Sequence, residues 1–417
     1  MSKEDIESIR PVLLREDEWD AWDSWEEFKG DWVSAGNADW NEDYGDCGGD
    51  EVIPVPLTQY VDAGGSASKW KPGEFGAIAQ HLVPAFAQEH AKGLAEGDDC
   101  VVMHVNDDQA AVFAVDWFPP VVDDPYEFGA ISAASALAPL YAVGVKPITA
   151  LNIMALPCKM GTEMVGEVMR GGSDKVIEAG AFVVGGHSVD DDTPKYGMAA
   201  FGIAPADQVI RNDSVTAGDV LYYTKPLGSG VMNEAYRMSV EFARDMRQVV
   251  DSMLELNKGA ADAMAAFDVH GAVCVGAQGL AGHLHALLEA CGVSAILQWD
   301  GIILFDRAWQ RCWEGYRPAR TAEIVAWAQQ FVELGDFEPD VEWAAQFEIP
   351  EGTSPREAEA DVRMALLCDP QTSGGMIVAI PPDQTNAFAQ AFETSLGRLP
   401  ARIGEVAAGN QGRILVQ

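Results

Sequence analysis

Four stretches of this sequence combine glycine with acidic or hydroxyl side chains where strands are predicted to end. In chain order they are Asp98-Asp99 with the following AVDWFPPVVDDP, then GGHSVDDD (185–192), TKPLGSG (224–230) and DPQTSGG (369–375). Carboxylates near turns are typical of magnesium and phosphate sites, because Mg²⁺ takes hard oxygen ligands. Backbone N–H groups in such turns can hold an anion. Each stretch alone is more often a polar turn, and none matches a P-loop or a dinucleotide fingerprint.

A glycine-serine run that ends in a lysine is a further candidate. In LTQYVDAGGSASKWKP (57–72), five small residues precede Lys69. Such a run is typical of a surface linker. It is also what a mobile flap over an active site requires, with the Lys69 ammonium meeting negative charge on a phosphate. The two interpretations differ in whether the rest of the chain gives this lysine something to act upon.

The composition excludes several classes of partner. The chain has 417 residues and a formal net charge of −38 at pH 7. A surface this acidic repels nucleic acid and anionic lipid, and no run of about 18 apolar residues predicts a membrane span. The seven cysteines form no C-x-x-C pair, which favours reduced thiols in the cytoplasm. The simplest explanation of the acidity is solubility in a salty cytosol, where screening weakens self-repulsion.

Hydrophobic patterning divides the chain into an extension and two mixed halves. Residues 1–56 contain 17 acidic and 4 basic residues together with five of the twelve tryptophans. They are predicted to dock on the body of the protein or on a partner protein, with disorder as the alternative. Residues 57–213 and 214–417 each mix strand-like and helix-like segments, which predicts a two-domain α/β or α+β fold.

Four local expectations depend on particular residues. Pro139 should break or kink the small-residue helix over 128–148. The glycine pair at 185–186 is expected to end the strand that begins AFVV, which would let a ligand approach the backbone. The segment RTAEIVAWAQQFVELG (320–335) has helical periodicity. A zinc or copper site at Cys274 with His270 or His283 is a weaker possibility, since a cysteine on an apolar strand is usually part of the core.

Taken in chain order, seven motifs resemble one enzyme family. They are LTQY followed by Lys69, then DWFPPVVDDPYEFG, YAVGVKP, GGHSVD, TKPLGSGV, GLAGHL and CDPQTSGG. Over residues 57–417 the chain resembles selenophosphate synthetase (selenide, water dikinase), a relative of aminoimidazole ribonucleotide synthetase and thiamine-monophosphate kinase. The resemblance implies a two-domain fold whose N-terminal domains pair through a shared β-barrel in a homodimer. It also implies that ATP, selenide and water give selenophosphate, AMP and phosphate, with magnesium as the metal.

The resemblance also implies roles for individual residues. Lys69 matches the essential lysine of a mobile flap. Ser66 falls at the position of the reactive cysteine or selenocysteine, and Ser68 at that of a second cysteine. Asp99 matches the first metal ligand. The ATP-binding residues that the motifs imply are Asp116, Gly185, Gly186, His187, Ser188, Thr224, Lys225, Asp369, Thr372 and Ser373.

Two further metal positions of the family carry other residues here. Pro139 stands where the small-residue helix would supply an aspartate, and Cys274 stands where the strand before GLAGHL would supply another. Proline has no ligating side chain, and a thiol is a poor ligand for Mg²⁺. Asp107, Asp108, Asp191 and Asp192 are candidate replacements. Two hypotheses follow: an ATP-dependent dikinase or kinase acting on selenide or another small nucleophile, and a non-catalytic paralogue that binds a nucleotide or, through residues 1–56, a protein partner.

Overall fold

The computed structural model describes residues 56–69, 91–92, 100–340, 349 and 351–417. Residues 1–55 of the acidic extension and the expected metal ligand Asp99 lie outside the described residues. The strands are β1 (Ala91–Lys92), β2 (Val101–His104), β3 (Gln109–Phe118), β4 (Pro147–Ala155), β5 (Phe182–Val189), β6 (Lys195–Pro205), β7 (Val220–Tyr223), β8 (Gly271–Cys274), β9 (Ser294–Leu297), β10 (Val332–Leu334), β11 (Met376–Ile380), β12 (Ala401–Ala407) and β13 (Ile414–Val416).

The α-helices are α1 (Pro125–Ala142), α2 (Gly161–Glu178), α3 (Ser229–Arg237), α4 (Ala243–Leu254), α5 (Lys258–Met264), α6 (Gly279–Cys291), α7 (Ala308–Trp313), α8 (Thr321–Ala328), α9 (Pro355–Leu367) and α10 (Thr385–Leu396). Within the described part of the chain, none of these helices combines the length and the apolar character needed to cross a membrane.

The N-terminal domain is built on a mixed sheet with the strand order β1-β2-β3-β6-β4-β5. β2 and β3 form a hairpin at the predicted turn, where Asn106 Oδ1 accepts hydrogen bonds from the N–H groups of Asp108 and Gln109 at 2.9 Å. β3 pairs with β6 antiparallel along its whole length. β4 and β5 are parallel, and α2 supplies the crossover that parallel strands require.

Helix α1 lies between the N-terminal sheet and the C-terminal domain. It begins after Asp124, whose side chain accepts from the Glu127 N–H at 2.8 Å, as is typical of a helix N-cap. Every residue over 128–142 is buried, and the helix packs on β3 and β6 on one side and on α4 on the other. α1 continues through Pro139 as one element, so the expected break is wrong. Burial on both sides outweighs the one hydrogen bond that proline removes.

The C-terminal domain contains a second mixed sheet with the strand order β10-β13-β9-β12-β7-β11-β8. β11 is buried at every position between its antiparallel neighbours β7 and β8. The segment expected to be helical over 320–335 divides, because α8 ends at Ala328 and Val332–Leu334 pairs with β13 as an edge strand. Tertiary pairing has overridden helical periodicity there. No helix or strand lies between Pro205 and Val220, as a connection between two domains requires.

One face of the N-terminal sheet carries exposed apolar side chains, while α1 and α2 pack against the sheet from the other side. Val115 is 60% exposed and Phe182 is 67% exposed. Residues directly opposite on paired strands share a face, and the pairing places further exposed side chains on this one: Met103, Phe113, Trp117, Leu151 and Ile203. Contiguous exposed apolar surface of this kind is typical of an interaction site.

Candidate functional site

Lys69 and Asp116 form an ion pair where the glycine-serine run meets the N-terminal sheet. Lys69 Nζ lies 2.7 Å from Asp116 Oδ1, and the side chains are 32% and 13% exposed. Asp116 is on β3, and its other oxygen, Oδ2, accepts a hydrogen bond from Ser135 Oγ of α1 at 2.7 Å. Two of the expected site residues therefore meet, and both oxygens of the carboxylate have a donor.

The glycine-serine run is packed between the two domains and is not a free linker. The Gly65 N–H donates to the carbonyl of Pro119 at 2.9 Å, and the Ser66 N–H donates to Thr372 Oγ1 at 3.0 Å. Gly65 has a φ of +55°, and a Cβ at this position would lie 2.1 Å from Thr372 Oγ1, so only glycine fits. These contacts favour the flap interpretation, and we call residues 56–69 the flap segment.

The serine hydroxyls of the flap segment have no partner that would activate them. Ser66 is 1% exposed, and its Oγ makes no hydrogen bond with the described residues. Ser68 Oγ donates to the carbonyl of Gly65 at 2.7 Å. A serine nucleophile needs an adjacent general base. Neither hydroxyl is therefore arranged as a nucleophile in this conformation.

Asp123 joins the start of the flap segment to the C-terminal domain. Its Oδ1 accepts from both the backbone N–H and the hydroxyl of Thr58, at 2.9 and 2.6 Å. Its Oδ2 accepts from the hydroxyl of Tyr236 on α3 at 2.8 Å. One carboxylate thus ties together the flap segment, the loop between β3 and α1, and the C-terminal domain.

The DPQTSGG loop caps the N-terminus of α3 and so meets the TKPLGSG motif. Asp369 Oδ2 accepts from the Gly230 N–H at 2.9 Å. Gln371 Oε1 accepts from the N–H groups of Gly228 and Ser229, both at 3.2 Å. Burial raises the pKa of Asp369 to about 7, against the opposing effect of the hydrogen bonds that its carboxylate accepts. Two motifs that are 145 residues apart in the sequence (224 and 369) therefore form one buried unit.

Lys225 has a structural role in this buried unit. Its Nζ donates to the carbonyls of Ser252, Glu255 and Ser373 at 2.8, 2.7 and 2.9 Å. All three N–H groups of the ammonium are then used, which leaves none for a phosphate. Burial lowers the pKa of Lys225 to about 8. Thr224 is also engaged, because its Oγ1 accepts from the Met376 N–H at 2.8 Å.

Comparison with known proteins places this arrangement in a family. Residues 97–204 match the N-terminal domain, and residues 216–417 the C-terminal domain, of the family described as AIR synthase related protein. The selenide, water dikinase 2 of Peptoclostridium acidaminophilum is 34% identical over 363 residues, which cover 87% of this chain and 98% of that protein. The selenide, water dikinase of Carboxydothermus hydrogenoformans is also 34% identical, with coverage of 87% and 99%. The chain belongs to the selenide, water dikinase family.

Solved structures confirm the fold of this dikinase-family chain. Thiamine-monophosphate kinase from Stenotrophomonas maltophilia K279a superimposes with a TM-score of 0.55 at 17% identity, covering 84% of this chain and 98% of that one. AaThiL complexed with AMPPCP and TMP gives 0.56 at 15% identity, with coverage of 82% and 93%. HypE in complex with ATP gives 0.51 at 13% identity, with coverage of 87% and 94%. The expected two-domain α/β fold of the AIR-synthase type is therefore confirmed.

The two positions at which the resemblance implies further metal ligands, 139 and 274, are both buried. Cys274 ends β8 with 8% exposure, and Pro139 lies in α1 one turn after Ser135. Within the described residues, no group of three His, Cys, Asp or Glu side chains is close enough to hold a metal ion. The suggested zinc or copper site at Cys274 therefore finds no support. His270 is instead engaged by Asp219, with 2.8 Å between Nδ1 and Oδ2.

His283, in the GLAGHL motif on α6, lies within electrostatic range of the flap lysine. Burial lowers the pKa of His283 to about 4, and the positive charge of Lys69 contributes in the same direction. The imidazole is consequently neutral at physiological pH. The sequence suggested His283 only as a possible zinc or copper ligand and gave it no place near Lys69.

The GGHS motif of the dikinase family lies within a strand and not after one. β5 continues through the motif to Val189, so the expectation that the glycine pair ends the strand is wrong. A Cβ on Gly186 would lie 2.4 Å from the carbonyl oxygen of Asn152 on β4, which explains that glycine by the close approach of two strands. The residues over 185–188 are exposed at the edge of the sheet. In the described part of the chain, no hydrogen bond or ion pair joins them to Lys69 or Asp116.

Ser135, Asp123 and Gln371 hold the site together; Ser135 and Gln371 were not singled out in the sequence, and Asp123 was expected only as one of the carboxylates near turns. Ser135 is one of several small residues in an apolar helix, so its type carries no signal. Its position does, since it lies four residues before Pro139 and therefore on the same helix face as the family's metal position. Asp123 and Gln371 belong to recognised motifs, but only the fold shows which groups their side chains bind.

Proposed function

We propose that this chain transfers a phosphoryl group from ATP to selenide or to a related small nucleophile. The observation that carries the proposal is the ion pair between Lys69, at the end of the flap segment, and Asp116. The same segment contacts the DPQTSGG loop through Ser66 and Thr372. This arrangement puts a cation, a carboxylate and a water-excluding cover at one place, as phosphoryl transfer requires. The relatives at 34% identity are named for this reaction.

ATP as the phosphoryl donor is supported by proteins of the same fold. One neighbour was solved with AMPPCP and another with ATP. We assign the phosphate end of the nucleotide to Lys69 and Asp116, and we retain Gly185, Gly186, His187 and Ser188 as candidate ATP contacts on β5. Thr224, Lys225, Asp369, Thr372 and Ser373 act in this proposal by shaping the loop that receives the flap segment.

The described residues do not supply the ligand set expected for magnesium. The family resemblance implies three aspartates, whereas positions 139 and 274 here hold proline and a buried cysteine. Asp116 already accepts from Lys69 and Ser135, and Asp191 pairs with Lys195 at 3.2 Å. We therefore assign no step of the reaction to a metal ion. The expectation that Asp99 is a metal ligand stays a prediction.

Lys69 is the residue that we place nearest to the reacting phosphate. Its ammonium would stabilise charge that develops on phosphate oxygens during transfer. The hydroxyl of Ser66 has no base beside it, so we assign it no covalent step. The small nucleophile would attack the γ-phosphorus directly, with ADP as the leaving group in line, and hydrolysis of that ADP by water would give AMP and phosphate.

A catalytically impaired paralogue is the alternative. Pro139 and Cys274 favour it, because a site without these two carboxylates would leave much of the triphosphate charge unneutralised. Such a protein would bind a nucleotide or a protein partner without turnover. A HypE–HypF complex, in which the HypE fold matches this one with a TM-score of 0.54, supports the idea of a protein partner. Residues 1–56 are the segment that we propose for such a contact.

We propose that the chain forms a homodimer through the exposed apolar face of its N-terminal sheet. Val115 and Phe182 are 60% and 67% exposed, and burying such side chains would contribute about 25 cal/mol per Å². This face is the surface that a shared β-barrel would cover. The cytoplasm remains the expected compartment, since none of the described cysteines forms a disulfide bond.

The experiment that tests the function is an assay of AMP formation. Purified protein is incubated with ATP and Mg²⁺, with and without selenide, and products are followed by phosphorus NMR. We expect selenide-dependent AMP that disappears in Lys69→Ala and persists in the control Lys146→Ala, whose lysine is exposed between α1 and β4. No AMP, together with thermal stabilisation by ATP, would establish the binding paralogue instead. If the protein forms no AMP and is not stabilised by ATP, both functions are contradicted.

A further inference from the structure

We propose that Lys69, held by Asp116 and Ser135, is a built-in cation of the nucleotide phosphate site and replaces a divalent ion that Pro139 and Cys274 no longer support. The inference rests on the proposed function in so far as ATP is the ligand. It concerns how the negative charge of the triphosphate is neutralised, which the family resemblance assigns to metal ions.

Asp116 and Ser135 connect Lys69 to the face of α1 where the resemblance implies a metal ligand. Ser135 and Pro139 are four residues apart on α1, so their side chains point to the same face of the helix one turn apart. Asp116 Oδ2 is 2.7 Å from Ser135 Oγ, and Asp116 Oδ1 is 2.7 Å from Lys69 Nζ. The ammonium is therefore linked through Asp116 to Ser135, which lies one helical turn before the position where the resemblance implies an aspartate.

The Lys69 ammonium also has the capacity to bind phosphate. An ammonium has three N–H groups, and the pair with Asp116 uses one of them. The side chain is 32% exposed, so the other N–H groups can reach a ligand. Asp116 fixes the direction of the ammonium, and Ser135 fixes the direction of the carboxylate.

Two other basic side chains of the described site, Lys225 and His283, do not offer a positive charge to a phosphate. Lys225 has its three N–H groups on backbone carbonyls. His283 is buried with its pKa lowered to about 4, so it carries no charge at neutral pH. Among these three basic side chains of the described site, Lys69 is the one whose charge is available to a nucleotide.

The test measures ATP affinity by isothermal titration calorimetry, once in EDTA and once with excess Mg²⁺, at constant ionic strength. We expect the wild-type protein to bind ATP in EDTA within about threefold of its affinity in Mg²⁺. Lys69→Met should weaken ATP binding in EDTA by about 10- to 100-fold, the range for a hydrogen bond to a charged group. Lys69→Arg keeps the cation and should retain most of the affinity. Lys146→Met is the control for removing a positive charge elsewhere, because Lys146 is exposed.

A second arm tests the supporting hydroxyl and the vacated positions. Ser135→Ala should weaken ATP binding in EDTA by about threefold to tenfold, while Ser132→Ala should not. Ser132 is the matched control, since it is buried in the same helix and its Oγ donates to the carbonyl of Phe128. Restoring carboxylates with Pro139→Asp and Cys274→Asp in the Lys69→Met background should return ATP binding in Mg²⁺ but not in EDTA.

The possible outcomes separate this inference from the proposed function. ATP binding that needs Mg²⁺ in the wild type and is unchanged in Lys69→Met overturns the inference and leaves the proposed function intact. A protein that binds no ATP under either condition overturns both. Circular dichroism of each variant identifies loss of fold. If Lys69→Met is unfolded, the ATP affinity of the wild type is compared with that of Lys69→Arg.

Discussion

The backbone N–H of Ser66 donates to the hydroxyl of Thr372, which joins the flap segment to a loop 306 residues further along the chain. Because the donor is the backbone, the contact does not depend on which side chain occupies position 66. The acceptor, in contrast, requires a hydroxyl. The position of the flap segment is therefore determined by the DPQTSGG loop of the C-terminal domain.

Thr372→Val should loosen the flap segment without unfolding the domain. The substitution removes one buried hydrogen bond and leaves the Ser66 N–H unpaired, at a cost of about 1–3 kcal/mol. Hydrogen exchange followed by mass spectrometry should show faster exchange over residues 56–69. Thr321→Val is the control, because Thr321 is 1% exposed and its hydroxyl makes no hydrogen bond with described residues. Equal exchange in both variants would contradict the role of Thr372.

Lys225→Met should destabilise the protein strongly. It leaves three carbonyl oxygens without their donor, each worth about 1 kcal/mol or more, so we expect a loss of at least about 3 kcal/mol. Denaturant unfolding measures this, with Lys146→Met as the control, because Lys146 is exposed. A stable Lys225→Met variant with weakened ATP binding would show instead that this lysine is a phosphate ligand.

Asp369 should make stability depend on pH. Its folded pKa is about 7, raised by burial from an ordinary value of 3.8. A raised folded pKa means that the stabilising contribution is present below about pH 4 and is lost as pH rises through 7. The unfolding free energy of the wild type, relative to Asp369→Asn, should fall by up to about 4 kcal/mol between pH 4 and pH 8. A difference that is flat over this range would refute the assignment.

Val115→Glu should convert the proposed dimer to a monomer. A carboxylate placed in the centre of an apolar interface must be desolvated, which is unfavourable without a partner. Size-exclusion chromatography with light scattering gives the mass directly. Ile177→Glu is the control, since Ile177 is 58% exposed on α2, which packs on the opposite side of the sheet. A monomeric wild type would eliminate the dimer proposal.

Salt should stabilise this chain. With a net charge of −38, the folded state suffers self-repulsion that is screened within about 3 Å at 1 M ionic strength and about 10 Å at 0.1 M. We expect the Tm to rise by several degrees between these concentrations of KCl, and equally in choline chloride if screening is the cause. A Tm that falls or stays constant would show that the acidity has another role.

The sequence predicted the fold where motifs and periodicity agreed. Each half mixes strands and helices, as the patterning predicted, and each contains one sheet. Predictions from the sequence were wrong where tertiary contacts decide the local structure. Val332–Leu334 is a strand because β13 lies beside it. Pro139 remains in a helix because both sides of α1 are covered. Local patterns contain no information about such neighbours.

The candidate site was predictable in its members but not in their roles. Lys69 and Asp116 were both expected, and they meet in the structure. Lys225 was expected at the nucleotide, yet its ammonium is enclosed by two carbonyls at the C-terminal end of α4 and one in the DPQTSGG loop. Ser135 was not expected at all. A residue type shows what chemistry is available, whereas the direction in which its atoms point depends on segments far away in the chain.

Helix α1 has a consequence for how this protein can change over generations. Its residues over 128–142 touch both halves of the molecule, and Ser135 must face Asp116. Inserting or deleting one residue before Ser135 would rotate that side chain by about 100° around the helix axis. The length of this part of α1 therefore cannot change, and natural indels should be absent between Glu127 and Ser135.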